Sequence, residues 1–263
     1  MNILGLLSQF FSPHNEELYP PCGMWSFGHI IALIITLVLI GVVVFINRKK
    51  TKEDINNSTK WMAIVITILE LGKITYSFIN GYTWLDAWFP LAYCSLLIYG
   101  LYLSGFGKGI FQKIGQVFLS GPAFIAGMGF LLFPSTSLAD HPLFHYLSFY
   151  SMFLHAVMVY YSIMFYKTKV IEYKIGNVLY YLMFMGLFSV IAIIMDYSLG
   201  CNMMFYYNPY NFPFQFIVDI YEFSRIIYTV LIFGCYSLMY FPILFFDVVF
   251  RKIKGVLIKN DNV

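Results

Sequence analysis

Charged residues are scarce in this sequence. Of its 263 residues only 11% are Asp, Glu, Lys or Arg, whereas 60% are hydrophobic and 21% are aromatic. A typical soluble domain carries about 25% charged residues, and a disordered chain would be poor in the Phe and Tyr that are abundant here. The composition therefore excludes a soluble globular fold and a disordered chain, and it indicates an integral membrane protein.

Cysteine is scarce as well, and the sequence contains no metal-binding pattern. There are four Cys residues, and no CxxC motif or His/Cys spacing typical of a metal site is present, so we predict neither a metal nor another cofactor. The formal net charge of +3 is small and gives no indication of nucleic-acid binding. Cys22 and Cys201 fall near the same predicted surface and could form a disulfide, whereas Cys94 and Cys235 fall inside hydrophobic runs.

Seven hydrophobic runs are long enough to cross a bilayer. A spanning helix needs about 20 mostly apolar residues. Residues 1–12 repeat apolar positions at helical spacing but are too few to span, so we predict that they form an interfacial amphipathic helix. The predicted fold is all-α and polytopic, a single membrane domain over 1–263 with a bundle at 24–246 and a tail at 247–263. The seven predicted transmembrane helices cover about 24–46, 61–82, 87–106, 112–133, 143–166, 178–199 and 215–246.

Lys and Arg are absent from the N-terminal segment and from every second loop. They cluster in the loops after the first, third and fifth predicted spans, and again after the seventh. Because Lys and Arg in short loops stay cytoplasmic, we predict the N-terminus outside and the C-terminus in the cytoplasm. The predicted location is a multi-pass position in a membrane, with the bacterial cytoplasmic membrane favoured over that of a eukaryotic organelle.

Two of the sixteen basic residues, Lys73 and Arg225, fall inside predicted spans. Each follows a carboxylate by three residues, Glu70 and Glu222 respectively, and this spacing places each pair on one helix face. A charge at the bilayer centre costs about 2.5–3.5 kcal/mol on insertion scales, so we expect ion pairs that point into the bundle. They could form part of a reactive site, or they could serve only to fix helix packing.

Six side chains that can carry charge or move a proton are predicted to share one layer in the outer half of the membrane. We estimated depths from the outer end of each span, at about 1.5 Å per residue. The values are about 7 Å for His29, about 12 Å for Cys94 and Lys73, about 14 Å for Arg225, and about 18 Å for Glu70 and His155.

The fifth span contains the candidate base. His155 shares a helix face with Ser151 and Ser162, whereas His141 and His145 are expected at the outer rim. A buried histidine at the depth of His155 would be neutral and able to accept a proton, which is what a general base requires.

Cys94 lies four residues after Pro90 in the third span. Proline removes a backbone hydrogen bond and kinks a helix, so we expect local room near the thiol. A thiol becomes a nucleophile when a base or a nearby cation favours the thiolate, and His155, Lys73 or Arg225 could do so. The estimated depth matches that of a phospholipid ester carbonyl, which suits acyl transfer. Alternatively, Cys94 packs only as a small apolar side chain.

The motifs in their order along the chain carry a resemblance to a known family. SFGH enters the first span, a Glu and a Lys lie in the second, PLAYC in the third, SGPAFIAGMGFLLFP in the fourth, FHYLSFYSMFLH in the fifth and CNMMFYYNPY after the sixth. This arrangement resembles the YwaF-type integral membrane proteins, which include the transmembrane protein 164-like membrane acyltransferases. The resemblance covers about residues 24 to 225.

The resemblance implies a Cys/His acyltransferase. Cys94 would take an acyl chain from a phospholipid as a thioester, with His155 as the base, and pass it to a lysophospholipid or another lipid or lipoprotein acceptor. Asn202 matches the family's Asn after the sixth span. Glu70, Lys73, Glu222 and Arg225 would orient the site and bind a phosphate or polar headgroup, with His29 at its mouth.

Two other readings stay open. The buried charges could bind a solute or lipid in a non-enzymatic transporter or binding component, or the chain could be a purely structural membrane partner. A transporter would tolerate the loss of the Cys94 thiol and fail when Lys73 or Arg225 is neutralised, whereas an acyltransferase would depend on the thiol.

Overall fold

The computed structural model describes residues 3–13, 18–210 and 214–249, and all regular secondary structure in these ranges is helical. Short 3₁₀ helices at Asn47–Lys49 and Tyr93–Ser95 supplement the α-helices. These are α1 (Ile3–Phe10), α2 (Phe27–Ile46), α3 (Lys52–Ile79), α4 (Leu85–Trp88), α5 (Leu96–Phe106), α6 (Ile110–Ser120), α7 (Pro122–Leu132), α8 (Tyr146–Thr168), α9 (Asn177–Leu199), α10 (Gln215–Phe223) and α11 (Arg225–Leu238).

Seven segments of the described chain are long and apolar enough to cross a membrane, which confirms the predicted all-α fold with seven spans. The side of the membrane that each end faces stays a prediction, and the predicted tail lies outside the described residues from residue 250 onwards. The seven segments are Phe27–Lys49, Lys52–Ile79, Leu85–Phe106, Ile110–Leu132, Tyr146–Thr168, Asn177–Leu199 and Arg225–Val249.

The third span is broken just before Cys94. Phe89 adopts an extended conformation (φ −75°, ψ 128°), as a residue that precedes proline generally does, and Pro90 has no N–H to continue the helix. The chain then forms the 3₁₀ turn Tyr93–Ser95 and enters α5. The predicted kink is thus a complete interruption, and Cys94 lies on the turn that starts the second half of the span.

The fourth span is also divided, at the Gly121–Pro122 step. Gly121 (φ −149°, ψ −59°) ends α6, and Pro122 occupies the first turn of α7, where the missing N–H of proline is no loss. The half-span α6 packs closely on α5, and α7 packs on α8.

The seventh span, predicted as one run over 215–246, is wrong in this respect: the chain forms two helices there, α10 and α11. Ser224 is extended (φ −162°, ψ 117°), and its hydroxyl accepts a hydrogen bond from the Ile227 N–H at 3.4 Å. This is an N-cap, so it ends α10 and starts α11. Glu222 therefore belongs to one helix and Arg225 begins the next, and the predicted ion pair on a single helix face does not form.

The short N-terminal helix predicted at residues 1–12 is present as α1. The Ser12 carbonyl that follows it accepts hydrogen bonds from the Tyr76 hydroxyl at 2.6 Å and from His145 Nε2 at 3.0 Å. The Phe10 ring lies 6.0 Å from that of Tyr146. This end of α1 is therefore fixed to α3 and to the start of α8, while its position in the membrane interface stays a prediction.

His141 and His145, expected at the outer rim, are buried instead. Their rings stack at 4.3 Å, and His145 Nδ1 accepts a hydrogen bond from the Leu147 N–H, so that it caps α8. Their burial follows from the packing of α1 and Tyr76 over the start of α8.

We predict that the contact between α5 and α6 tolerates no added methyl group. A Cβ at Gly115 would lie 2.5 Å from the Ser104 backbone nitrogen and 2.6 Å from the Gly100 carbonyl oxygen, and backbone atoms cannot move aside without separating the helices. Gly115→Ala should therefore destabilise the protein by about 1–3 kcal/mol, the usual cost of overpacking, measured by thermal unfolding in detergent.

The matched control is Gly186→Ala in α9, where a Cβ meets nothing within 4 Å. Since alanine favours a helix over glycine, this variant should be as stable as the wild type or more so. Equal melting temperatures for the two variants would contradict the predicted close contact.

Candidate functional site

A buried carboxylate organises the polar site inside the bundle. Glu70 on α3 is 3% exposed, and its Oε1 lies 2.5 Å from Lys73 Nζ, so the predicted ion pair is present. Its other oxygen, Oε2, accepts a hydrogen bond from the Tyr150 hydroxyl of α8. Oε2 is thus hydrogen-bonded, whereas Oε1 makes no hydrogen bond and is stabilised by the ion pair with Lys73.

Cys94 interacts electrostatically with this group. Its thiol is partly buried and within electrostatic range of Lys73, Glu70 and Tyr150. The turn that carries it leads directly into α5, whose first N–H group, that of Leu96, donates to the Ala92 carbonyl at 3.3 Å. The N-terminal end of a helix favours negative charge, and the broken third span places the thiol at this end and within electrostatic range of the Lys73 ammonium.

Tyrosines form the surroundings of the thiol, and the sequence reasoning had missed their role. The Tyr93 ring stacks on Tyr236 of α11 at 4.7 Å, and its hydroxyl is 3.2 Å from that of Tyr181. Tyr146, one turn before Tyr150, donates a hydrogen bond to the Leu69 carbonyl at 2.8 Å. Tyr146 and Tyr150 lie at i, i+4 in the fifth span, and this spacing was the only indication in the sequence. It does not stand out because the chain contains 22 tyrosines.

His155 is held separately from this group. It is 4% exposed, its ring stacks on Phe130 of α7 at 3.7 Å, and its Nδ1 lies 2.6 Å from the Ser151 carbonyl oxygen. A carbonyl can only accept, so Nδ1 carries the proton and Nε2 has the free lone pair.

The structure does not join His155 directly to Cys94. His155 follows Tyr150 by five positions on α8, so their side chains point about 140° apart around the helix axis. In the described part of the chain, the Cys94 thiol and His155 Nε2 do not hydrogen-bond to each other. The turn of Cys94 nevertheless packs on α7, the helix that also contacts His155, so the two share a neighbour.

His29 is committed to the backbone and does not reach the thiol. It is fully buried, its Nε2 lies 3.0 Å from the Leu131 carbonyl oxygen, and its Nδ1 accepts a hydrogen bond from the Trp25 N–H. These contacts tie the start of α2 to the end of α7. The prediction of His29 at the mouth of the site is therefore replaced by a structural role between two spans.

Arg225 and Glu222 lie away from the buried group, since both side chains are exposed. The Arg225 guanidinium lies 5.2 Å from the centre of the Tyr207 ring and 5.5 Å from that of Tyr221. As the first residue of α11, Arg225 is at the end of the span and not about 14 Å into it. The six-residue layer predicted from depth therefore reduces to the group around Glu70, with His155 nearby.

Asn202 organises the loop after the sixth span. Its side-chain oxygen accepts hydrogen bonds from the Tyr207 and Asn208 N–H groups at 3.2 and 3.1 Å, and its amide nitrogen donates to the Asn208 carbonyl at 3.1 Å. The Asn202 N–H donates to Asp86 on α4, at the start of the broken third span. Asn202 thus holds the loop in place without contacting the thiol.

The disulfide considered between Cys22 and Cys201 is not formed. Both thiols are free, with Cys22 Sγ 3.3 Å from the Ser26 hydroxyl and Cys201 Sγ 3.4 Å from Asp196 Oδ1. Burial, together with the Asp196 carboxylate, raises the pKa of the Cys201 thiol to about 11. This cysteine is therefore protonated and unreactive at neutral pH.

Within residues 3–13, 18–210 and 214–249, no group of three or more His, Cys, Asp or Glu side chains could hold a metal ion. The site contains a thiol, a cation, a carboxylate and a tyrosine hydroxyl from three different spans, and these groups suit proton transfer and nucleophilic attack.

Comparison with known proteins identifies the family of this chain. Searches of the curated proteins and of the solved structures found no match to this chain. A protein-family model, described as the TMEM164 family, matches residues 24–240. The matched region contains the first six spans completely and the seventh as far as residue 240. Because this match covers most of the 263 residues, the chain belongs to the TMEM164 family.

Proposed function

We propose that this protein is a membrane-embedded acyltransferase that moves a fatty acyl chain from a phospholipid, through a Cys94 thioester, to a lysophospholipid or another lipid or lipoprotein acceptor. The observation that carries the proposal is the position of Cys94, on a break inside a span and within electrostatic range of the Glu70–Lys73 pair. Non-helical backbone at membrane depth is tolerated only where it is buried or lines a cavity, so such a break indicates a functional site.

In the first step, the Cys94 thiolate attacks the ester carbonyl carbon of the donor. The carbonyl oxygen becomes an oxyanion, which the ammonium of Lys73 can stabilise. The ester C–O bond then breaks, and the leaving oxygen takes up the proton that the Cys94 thiol gave up, so that the lysophospholipid leaves as an alcohol. The acyl chain is now held as a thioester.

In the second step, the hydroxyl of the acceptor attacks the thioester carbonyl. A base must take the hydroxyl proton as the new C–O bond forms and the C–S bond breaks, which returns the thiolate. His155 suits this step, because the hydrogen bond from Nδ1 to the Ser151 carbonyl leaves the lone pair on Nε2. We therefore assign Lys73 to the thiolate and the oxyanion, and His155 to the acceptor.

Loss of the thiol should abolish the covalent intermediate. With a phospholipid whose acyl chain is labelled, the wild type should form a protein adduct that hydroxylamine removes. Cys94→Ser should form no hydroxylamine-labile adduct, because an ester on serine would not be cleaved under the same mild conditions. The measurement is intact-protein mass spectrometry before and after hydroxylamine.

Cys235→Ser is the matched control, because Cys235 is also a span cysteine but is exposed on the outer surface of the bundle. It should keep the adduct at the wild-type level. An adduct that persists in Cys94→Ser and disappears in Cys235→Ser would overturn the assignment. A transporter, in contrast, would form no labile adduct, would be unaffected by Cys94→Ser and would lose solute binding in Lys73→Gln.

Removal of the base should trap the intermediate. In His155→Gln the thioester should still form, but its transfer to an added lysophospholipid should slow by about 10²–10⁴-fold, the usual contribution of a general base. Rapid-quench mass spectrometry should therefore show the acyl adduct accumulating.

The reference for this test is the wild type without an acceptor, which should accumulate the same adduct and lose it when the acceptor is added. Folding is checked by thermal unfolding of the variant in detergent. A well-folded His155→Gln protein that forms no adduct would contradict this assignment and would place His155 in the first step.

A further inference from the structure

Glu70 is the buried carboxylate of the second span, and its two oxygens contact two different donors. Oε1 contacts Lys73, and Oε2 accepts the hydrogen bond of Tyr150. The donors come from different helices, since Lys73 follows Glu70 by one turn on α3 whereas Tyr150 is on α8. Tyr150 is therefore the only side chain outside α3 in the described residues that hydrogen-bonds this carboxylate.

The Tyr150 hydrogen bond limits how strongly Glu70 can hold Lys73. With Oε2 occupied, the ammonium of Lys73 contacts one oxygen, and its other two N–H donors are available to a second anion. If Oε2 were free, a buried carboxylate would draw the same ammonium toward both oxygens, because an unpaired buried acceptor is costly. Lys73 would then be less available to the neighbouring thiolate.

We propose that Tyr150 is a positioning residue for Cys94: by occupying one oxygen of Glu70, it keeps Lys73 directed at the thiol. Tyr150 does not contact the substrate in this proposal, and it acts through Glu70 and Lys73. The inference rests on the proposed function for its meaning in acyl transfer, but its physical content concerns the reactivity of the thiol alone.

The charged and titratable groups around the thiol come from three helices that pack near it. Glu70 and Lys73 lie on α3, Tyr150 on α8 and Tyr236 on α11, all within electrostatic range of Cys94. Tyr146 lies within range of Glu70, but its hydroxyl is bonded to the backbone of α3 and not to the carboxylate. This difference makes Tyr146 the matched control for Tyr150.

The test is the pH profile of Cys94 alkylation by N-ethylmaleimide, a small permeable reagent, in the full-length protein in lipid nanodiscs. Peptide-resolved mass spectrometry follows Cys94 separately from the other cysteines. In Tyr150→Phe, the half-point of the profile should move up by about 1 pH unit, the lower end of the effect of a nearby opposite charge. Tyr146→Phe should leave the profile of the wild type unchanged.

A double-mutant cycle identifies the route of the effect. Because Tyr150 acts through Lys73, Tyr150→Phe should cause no further shift in a Lys73→Gln background, so the two changes should be strongly non-additive. An equal shift in both backgrounds would overturn the proposal, as would a Tyr150→Phe profile identical to that of the wild type. A shift in Tyr146→Phe equal to that in Tyr150→Phe would show a general packing effect and would also overturn it.

This experiment separates the inference from the proposed function. Alkylation needs no lipid substrate, so a wild type that forms no acyl adduct would end the acyltransferase proposal without changing the alkylation profiles. Conversely, unchanged alkylation in Tyr150→Phe together with a normal acyl adduct would remove the role of Tyr150 and leave Cys94 as the nucleophile.

Discussion

A buried carboxylate must find its partners within the protein, and this requirement shapes the centre of the bundle. Glu70 lies where water cannot solvate it, and the free-energy cost of such a charge is offset only by close donors. Lys73 supplies one from the same helix and Tyr150 supplies the other from α8. The Tyr150 contact fixes α3 against α8, and the thiol of Cys94 lies within electrostatic range of the cation that this arrangement holds in place.

Interruptions of the spans are the second constraint on the site. Backbone groups that leave a helix inside a membrane must be satisfied by protein, so each break has to be enclosed by neighbouring helices. Pro90 and Gly121 produce two such breaks, each through a different local property: a missing N–H and a residue with no side chain. Of these, the break at Pro90 is the one that presents a reactive group.

Three of the buried histidines show why residue type alone did not identify the site. His29 bonds backbone at both ring nitrogens, and His145 caps α8 and contacts the Ser12 carbonyl. His155 uses one nitrogen for a carbonyl and leaves the other available. All three are imidazoles near the same end of the bundle, but only His155 has a nitrogen that no described residue occupies. The difference comes from contacts with helices distant in sequence.

The sequence by itself determined the membrane class, the seven spans and the Glu70–Lys73 pair, because hydrophobic length and an i, i+3 spacing are local properties of the chain. It also predicted a disturbance at Pro90 for the same reason. The tertiary structure decided that Ser224 divides the last predicted span, that Arg225 and His29 lie outside the site, and that Tyr150 belongs to it. These outcomes depend on which helix faces lie opposite one another, and depth counted along separate helices carries no information about direction around their axes.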